Sequence, residues 1–169
     1  MDQNEFVLLT TPIKDKMFRL AKRLLVSIEE AQDATQEILV KLWSKKGTLN
    51  DYNNVEAFAM TMTKNYCLDQ LKSKRATNVK IGANEFLNTE VPLDKNVEDR
   101  DSLSWVEKSI DKLPEQQRVI MHLRDIEQYD FEEIAKMLEM SEGTVRVTLS
   151  RARKTVREEM LKIHNYGIK

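Results

Sequence analysis

Apolar residues recur every three to four positions along most of this chain, the spacing of one helix face. Met17, Leu20, Ala21, Leu24 and Leu25 form such a stripe beyond Pro12, a residue suited to the first turn of a helix. Ser27 stands three residues before Glu30, the capping-box spacing in which side chains satisfy otherwise unpaired backbone donors. A second helix is predicted there, with Ala31, Ala34, Ile38 and Leu42 inward and Leu39 and Trp43 widening that face, ending near Gly47. Leu49 to Val55 reads as a loop, because Asn and Asp side chains bond to their own backbone and favour turns. A third helix runs from about residue 56 to 75.

Between Thr77 and Ser102 no period persists, and Gly82, Pro92 and a series of acids (Glu85, Glu90, Asp94, Glu98, Asp99 and Asp101) predict an acidic linker. Helical spacing resumes with Trp105, Ile110 and Leu113, and Pro114 opens a further helix. Asp130 and Glu133 repeat the capping pattern, and Ser141 caps a last helix reaching about Ile163. The expected fold is all-α: two small helical domains joined by an acidic linker, the second a helix-turn-helix. The expected boundaries are 1–76, 77–102 and 103–169.

Only 4 glycines and 3 prolines occur, too few turn formers for a sheet-rich fold. The net charge of −1 means that a basic surface must be local. A single cysteine, Cys67, excludes an internal disulfide and a cysteine-based zinc cluster, and it reads as a small buried apolar residue. His122 and His164 form no ligand pattern, so neither metal nor cofactor is expected. The opening residues lack a basic stretch, and no apolar run approaches the roughly 18 residues of a membrane span, so the expectation is a cytoplasmic chain without membrane insertion.

The segment Asp130 to Arg153, DFEEIAKMLEMSEGTVRVTLSRAR, carries the strongest signal. Ile134, Ala135 and Leu138 give a short helix one apolar face; after a tight turn, Val145, Leu149, Ala152 and Val156 give the next helix another. The opposite surface presents Gly143, Val147, Ser150, Arg151 and Lys154, flanked by Arg146, Arg153 and Arg157. Five basic residues and no acid lie between Arg146 and Arg157. A recognition helix needs this arrangement: arginine reads guanine bidentately in the major groove, and Gly143 and Thr144 offer backbone donors to a phosphate. A solvated basic face is the bland alternative; the capped short helix, tight turn and Gly-Thr-Val start favour DNA.

In the first domain, Asp33, Gln36, Glu37 and Val40 share a polar stripe suited to a basic partner helix, although a stripe of this kind can equally be solvated. The third helix sets Asn65, Asp69 and Lys72 on one face and ends in Lys72, Ser73, Lys74 and Arg75. With Tyr52, Asn53 and the other amides upstream, it suits an unpaired base and its backbone, by stacking, edge hydrogen bonds and charge neutralisation. Phe58, Met60, Met62 and Tyr66 read as core.

The two halves together resemble an extracytoplasmic-function (ECF) type RNA polymerase sigma factor. The resemblance rests on Asp33-Ala34-Thr35-Gln36-Glu37 with Trp43, on Phe58, Asn65 and Asp69, on Leu113-Pro114, and on Glu133-Ile134-Ala135, Ser141-Glu142-Gly143-Thr144-Val145-Arg146 and Ser150-Arg151-Ala152-Arg153. Two departures, Ile38-Leu39 after Gln-Glu and Phe58-Ala59 for the usual Trp-Leu, are conservative core changes. The resemblance implies a non-enzymatic subunit that binds core RNA polymerase, through the clamp helices of the largest subunit and the flap of the second, and directs initiation at promoter DNA. Asp33, Gln36, Glu37 and Trp43 would dock on the clamp helices. Tyr52, Asn53 and Asn65 would read the −10 element, with Lys72, Lys74 and Arg75 on its backbone. Gly143, Thr144, Arg146, Val147, Ser150, Arg151 and Lys154 would meet the −35 element. It also implies an anti-sigma factor.

The alternative is an ordinary helix-turn-helix regulator with an unrelated helical sensor domain, which has no need of the Asp33-to-Trp43 helix. An enzyme would require a nucleophile–base pair, a metal-ligand spacing or a glycine-rich phosphate loop, and the chain presents none of them.

Overall fold

The computed structural model describes residues 1–81 and 101–167. It is all-α, with helices α1 (Gln3–Leu25), α2 (Ile28–Ser44), α3 (Val55–Ile81), α4 (Asp101–Asp111), α5 (Glu115–Met121), α6 (Phe131–Leu138) and α7 (Glu142–Gly167). A 3-10 turn at Leu49–Asp51 leads into α3, and a π turn at His122–Ile126 extends α5. Most of the expected linker, with Glu85, Glu90, Asp94, Glu98 and Asp99, lies outside the described residues.

The first helix begins earlier than Pro12 suggests. Asp2 accepts from the Glu5 N–H at 2.8 Å and Glu5 returns the bond to the Asp2 N–H at 2.9 Å, a complete capping box that starts the helix at Gln3. Pro12 therefore sits inside α1, where its missing N–H leaves the Leu8 carbonyl without a helical partner. Both residues are exposed, so water can take that carbonyl. Ser27 accepts from the Glu30 N–H as expected, but the Glu30 carboxylate pairs with Lys74, so the box is half made. Helix α2 closes at Lys45, ahead of Gly47, and α3 runs six residues past Arg75.

Helix α1 packs on α2 and α3, and α7 packs on α4, α5 and α6. Met17, Leu20, Leu24, Ile38, Leu42, Leu49 and Met60 are fully buried in the first half; Val119, Ile120, Leu123, Ile134 and Leu149 are in the second. Each such side chain stabilises the fold by about 1.5–3 kcal/mol. Phe58, Met62 and Tyr66 are half-buried against this core. Cys67 is buried as expected, and burial pushes its thiol up to about 12.

The halves also touch, α1 against α5 and the π turn, and α3 against α6. Arg118 of α5 donates to the carbonyls of Arg23 and Leu24 at 3.4 Å each, satisfying groups that the end of α1 leaves open. Arg19 pairs with Glu127, Arg23 with Asp111 at 3.4 Å and Arg75 with Glu115 at 2.9 Å.

Candidate nucleic-acid interface

Helix α7 is laid down by its apolar stripe. Val145, Leu149, Ala152 and Val156 are buried against α4, α5 and α6, so the remaining surface must face outward. Its start is set locally: the Ser141 hydroxyl accepts the Thr144 N–H at 3.1 Å and lies 2.8 Å from the Thr144 hydroxyl. The preceding helix is held by the full Asp130–Glu133 capping box. Between them Glu139 takes a left-handed conformation, φ 54°, which turns the chain tightly enough to cross the two helices.

Gly143, Thr144, Arg146, Val147, Ser150, Arg151 and Lys154 are all exposed. Open space surrounds Gly143, where the nearest atom to an added Cβ is the Ser141 hydroxyl at 3.9 Å, so the helix start can approach a ligand closely. The Thr144 N–H is not on offer to a phosphate as expected, because Ser141 already holds it. Arg153 is turned away into an ion pair with Asp125, its Nε 3.1 Å from Oδ2.

On the first half, Asp33, Gln36 and Glu37 are exposed on one face of α2, together with Val40. Trp43 does not stand free beside them. Its ring is half-buried, edge-on to Phe6 at 5.0 Å, with Lys46 over it at 3.8 Å. The resemblance placed Trp43 at the partner surface; the structure gives it a share in holding α1 to α2.

The residues assigned to the −10 element do not form one cluster. Tyr52, Asn53 and Asn65 are exposed, as are Lys72, Lys74 and Arg75. Tyr52 and Asn53 precede α3, and the basic run lies near its far end. At 1.5 Å per residue that separation is about 25 Å, so no single unpaired base touches both. The proximity expected from the sequence reflected order along the chain, which a long helix converts into distance. Tyr52 stacks on Phe58 with centroids 4.2 Å apart and planes at 16°, leaving its other face open. Lys74 is paired with Glu30 and Arg75 with Glu115.

Two arginines escaped the sequence reading. Arg118 is buried at the junction of the halves, and Arg124, in the π turn, lies with its guanidinium 4.6 Å from the Phe131 ring centroid. No periodicity links residue 124 to the recognition helix; only the fold brings them together.

Family models match both halves of the chain. The family model for Sigma-70 region 2 matches residues 11–77, and that for Sigma-70, region 4 matches residues 103–156. The RNA polymerase sigma-E factor of Streptomyces coelicolor is 30% identical over 88% of this chain and 81% of its own length. The RNA polymerase sigma-H factor of Pseudomonas aeruginosa is 28% identical over 92% of this chain and 86% of its own. The fold is that of the sigma factor RpoE of Bartonella quintana, solved in complex with the anti-sigma factor NepR: TM-score 0.75 at 24% identity, covering 94% of this chain and 98% of that one. With regions 2 and 4 in this order, and with sigma-factor relatives of which the chain covers 81–90%, the chain belongs to the ECF-type RNA polymerase sigma factors.

Proposed function

We propose that the two helical halves divide the work of a promoter-directing sigma factor, with residues 1–76 docking on core polymerase and handling the −10 element and residues 103–169 reading the −35 element as duplex. The exposed basic face of α7, on a helix fixed from behind by four buried apolar residues, carries this reading. Arg151 and Lys154 lie at its centre and Arg146 at its flank. Arginine supplies bidentate base contacts and lysine a point charge to phosphate.

Asp33, Gln36 and Glu37 offer a carboxylate and amide surface to the clamp helices of the largest subunit, where charge complementarity would set register. The second domain would contact the flap of the second subunit. The open face of Tyr52, with Asn53 and Asn65, suits an extruded base. Lys72, Lys74 and Arg75 suit the backbone further along, once Arg75 is released from Glu115 and Lys74 from Glu30. The chain binds and opens DNA while the polymerase supplies the chemistry, so it acts in the cytoplasm without catalysing a reaction itself. Among the described residues no helix is long and apolar enough to cross a membrane. By analogy with the NepR complex, an anti-sigma factor is its inhibitor.

Run-off transcription with purified bacterial core polymerase on a promoter library tests this. Transcripts that depend on the chain are the expected result. DNA binding without initiation on any fragment would replace the reading with an ordinary helix-turn-helix regulator.

A further inference from the structure

A groove of about 820 Å³ opens where the end of α1 faces α4, across the start of α2 and the π turn. Its size falls within the roughly 300–1,000 Å³ of small-molecule sites. Arg23 of α1 and Asp111 of α4 meet across it at 3.4 Å, so its walls come from both halves of the chain. Three large apolar side chains border it, each about half exposed: Val26 at 52%, Ile28 at 55% and Ile126 at 46%. Such residues are ordinary when scattered, but three on one concave surface mark a place for an apolar ligand.

Five cations and three acids line the same surface, an excess of two positive charges. Arg19 is held by Glu127 and Arg23 by Asp111. Lys22 and Lys112 stand in no ion pair among the described residues, and neither do the acids Glu29 and Glu107. The floor carries one more polar group. His122 is 2% exposed, and neither ring nitrogen has a hydrogen-bond partner among the described residues. Its Nε2 lies 3.3 Å from Glu127 without the alignment of such a bond. A buried polar group without a partner is destabilising, and a ligand group or water that reaches it relieves the cost.

We propose that this groove binds a small amphipathic carboxylate of the medium-chain fatty acid class. The acyl chain lies along Val26, Ile28 and Ile126, and the carboxylate is drawn to Lys22 and accepts from an imidazole N–H of His122. An uncharged hydrocarbon would leave the lysines and His122 unanswered. A polyphosphate would leave the three apolar side chains uncovered and would meet Glu29 and Glu107. Because the walls belong to both halves, an occupied groove favours their contact and stabilises the whole chain.

The test is isothermal titration of the full chain with octanoate, far below its micelle threshold. A single site with a dissociation constant of about 300 µM or tighter is expected. Octanol keeps the chain without the charge, and butanoate keeps the charge without most of the chain; each should bind about tenfold more weakly. Ile28→Asp places an acid at an exposed first-turn position that suits it. It should weaken octanoate binding about tenfold and leave the melting midpoint of the free chain unchanged. Lys22→Gln should weaken binding about three- to tenfold, and Lys22→Arg should restore it. Octanol bound as tightly as octanoate, several equivalent weak sites, or wild-type affinity in Ile28→Asp and Lys22→Gln overturns the proposal. If Ile28→Asp melts early, the octanol and butanoate comparison on the unaltered chain decides.

Discussion

Arg19 of α1 and Glu127, which caps the π turn, form a two-point ion pair, Nε to Oε1 at 2.7 Å and Nη2 to Oε2 at 2.9 Å, which joins the two halves of the chain. The Glu127 side chain is only 2% exposed, while Arg19 is 46% exposed. Truncation of the arginine therefore strands a buried charge. Arg19→Ala should lower stability by about 1–2 kcal/mol, discounted for the exposed partner, and should loosen the contact between the halves. Urea unfolding checks the first expectation, and an increased radius of gyration in small-angle scattering checks the second.

The same site predicts a pH response. Burial alone would raise the Glu127 carboxyl, but the Arg19 hydrogen bonds and the neighbouring His122 outweigh it and hold the group at about 2. Burial pushes His122 below its ordinary value of 6.5 and outweighs the nearby carboxylate. Its Nε2 lies 3.3 Å from Glu127 without the alignment of a hydrogen bond. Both groups bind fewer protons folded than unfolded, so each contribution is present above the unfolded value and is lost as pH falls. Stability should decline in two stages, below about pH 6.5 for His122 and below about pH 4.5 for Glu127. His122→Gln should remove the first stage in thermal melts between pH 7.5 and 5, and a wild-type midpoint that stays flat over that range would contradict it.

Val26 ends α1 in the left-handed region, φ 53°, where a β-branched side chain is strained. Its side chain is half exposed, so little packing offsets that cost. Val26→Gly should raise stability by up to about 1 kcal/mol, even though glycine ordinarily destabilises a helix. Differential scanning calorimetry of the pair decides the sign. Glu139, φ 54°, predicts the same for Glu139→Gly in the helix-turn-helix corner.

Arg151→Ala removes a guanidinium from the centre of the exposed α7 face and should cost roughly 1–3 kcal/mol of binding to the upstream promoter element, with relaxed specificity there. A gel-shift titration on promoter fragments selected by run-off checks it. Unchanged affinity and specificity would move the reading face to another part of the helix.

Glu37→Lys reverses a charge on the exposed face of α2 and should impair assembly with core polymerase without changing stability by more than about 0.5 kcal/mol. Co-elution with core enzyme on gel filtration, together with thermal melts, separates the two effects. Normal co-elution would remove Glu37 from the docking surface.

The seven described helices follow from local rules: apolar periodicity and the caps at Ser27, Asp130 and Ser141 are read from neighbours a few residues apart. The outward face of α7 follows as well, because a buried stripe at i, i+4, i+7 and i+11 leaves one surface for solvent. Local rules mislead where two compete: Pro12 signals a helix start, but the Asp2–Glu5 box satisfies more backbone donors and wins. Tertiary structure alone decided the rest. The joining of Arg19 to Glu127 and the seating of Arg124 and Arg146 on Phe131 depend on contacts across 108 residues in the first case and between separate helices in the second. Such pairs have no period, since distance along a folded chain is set by how its helices pack and not by the order of its residues.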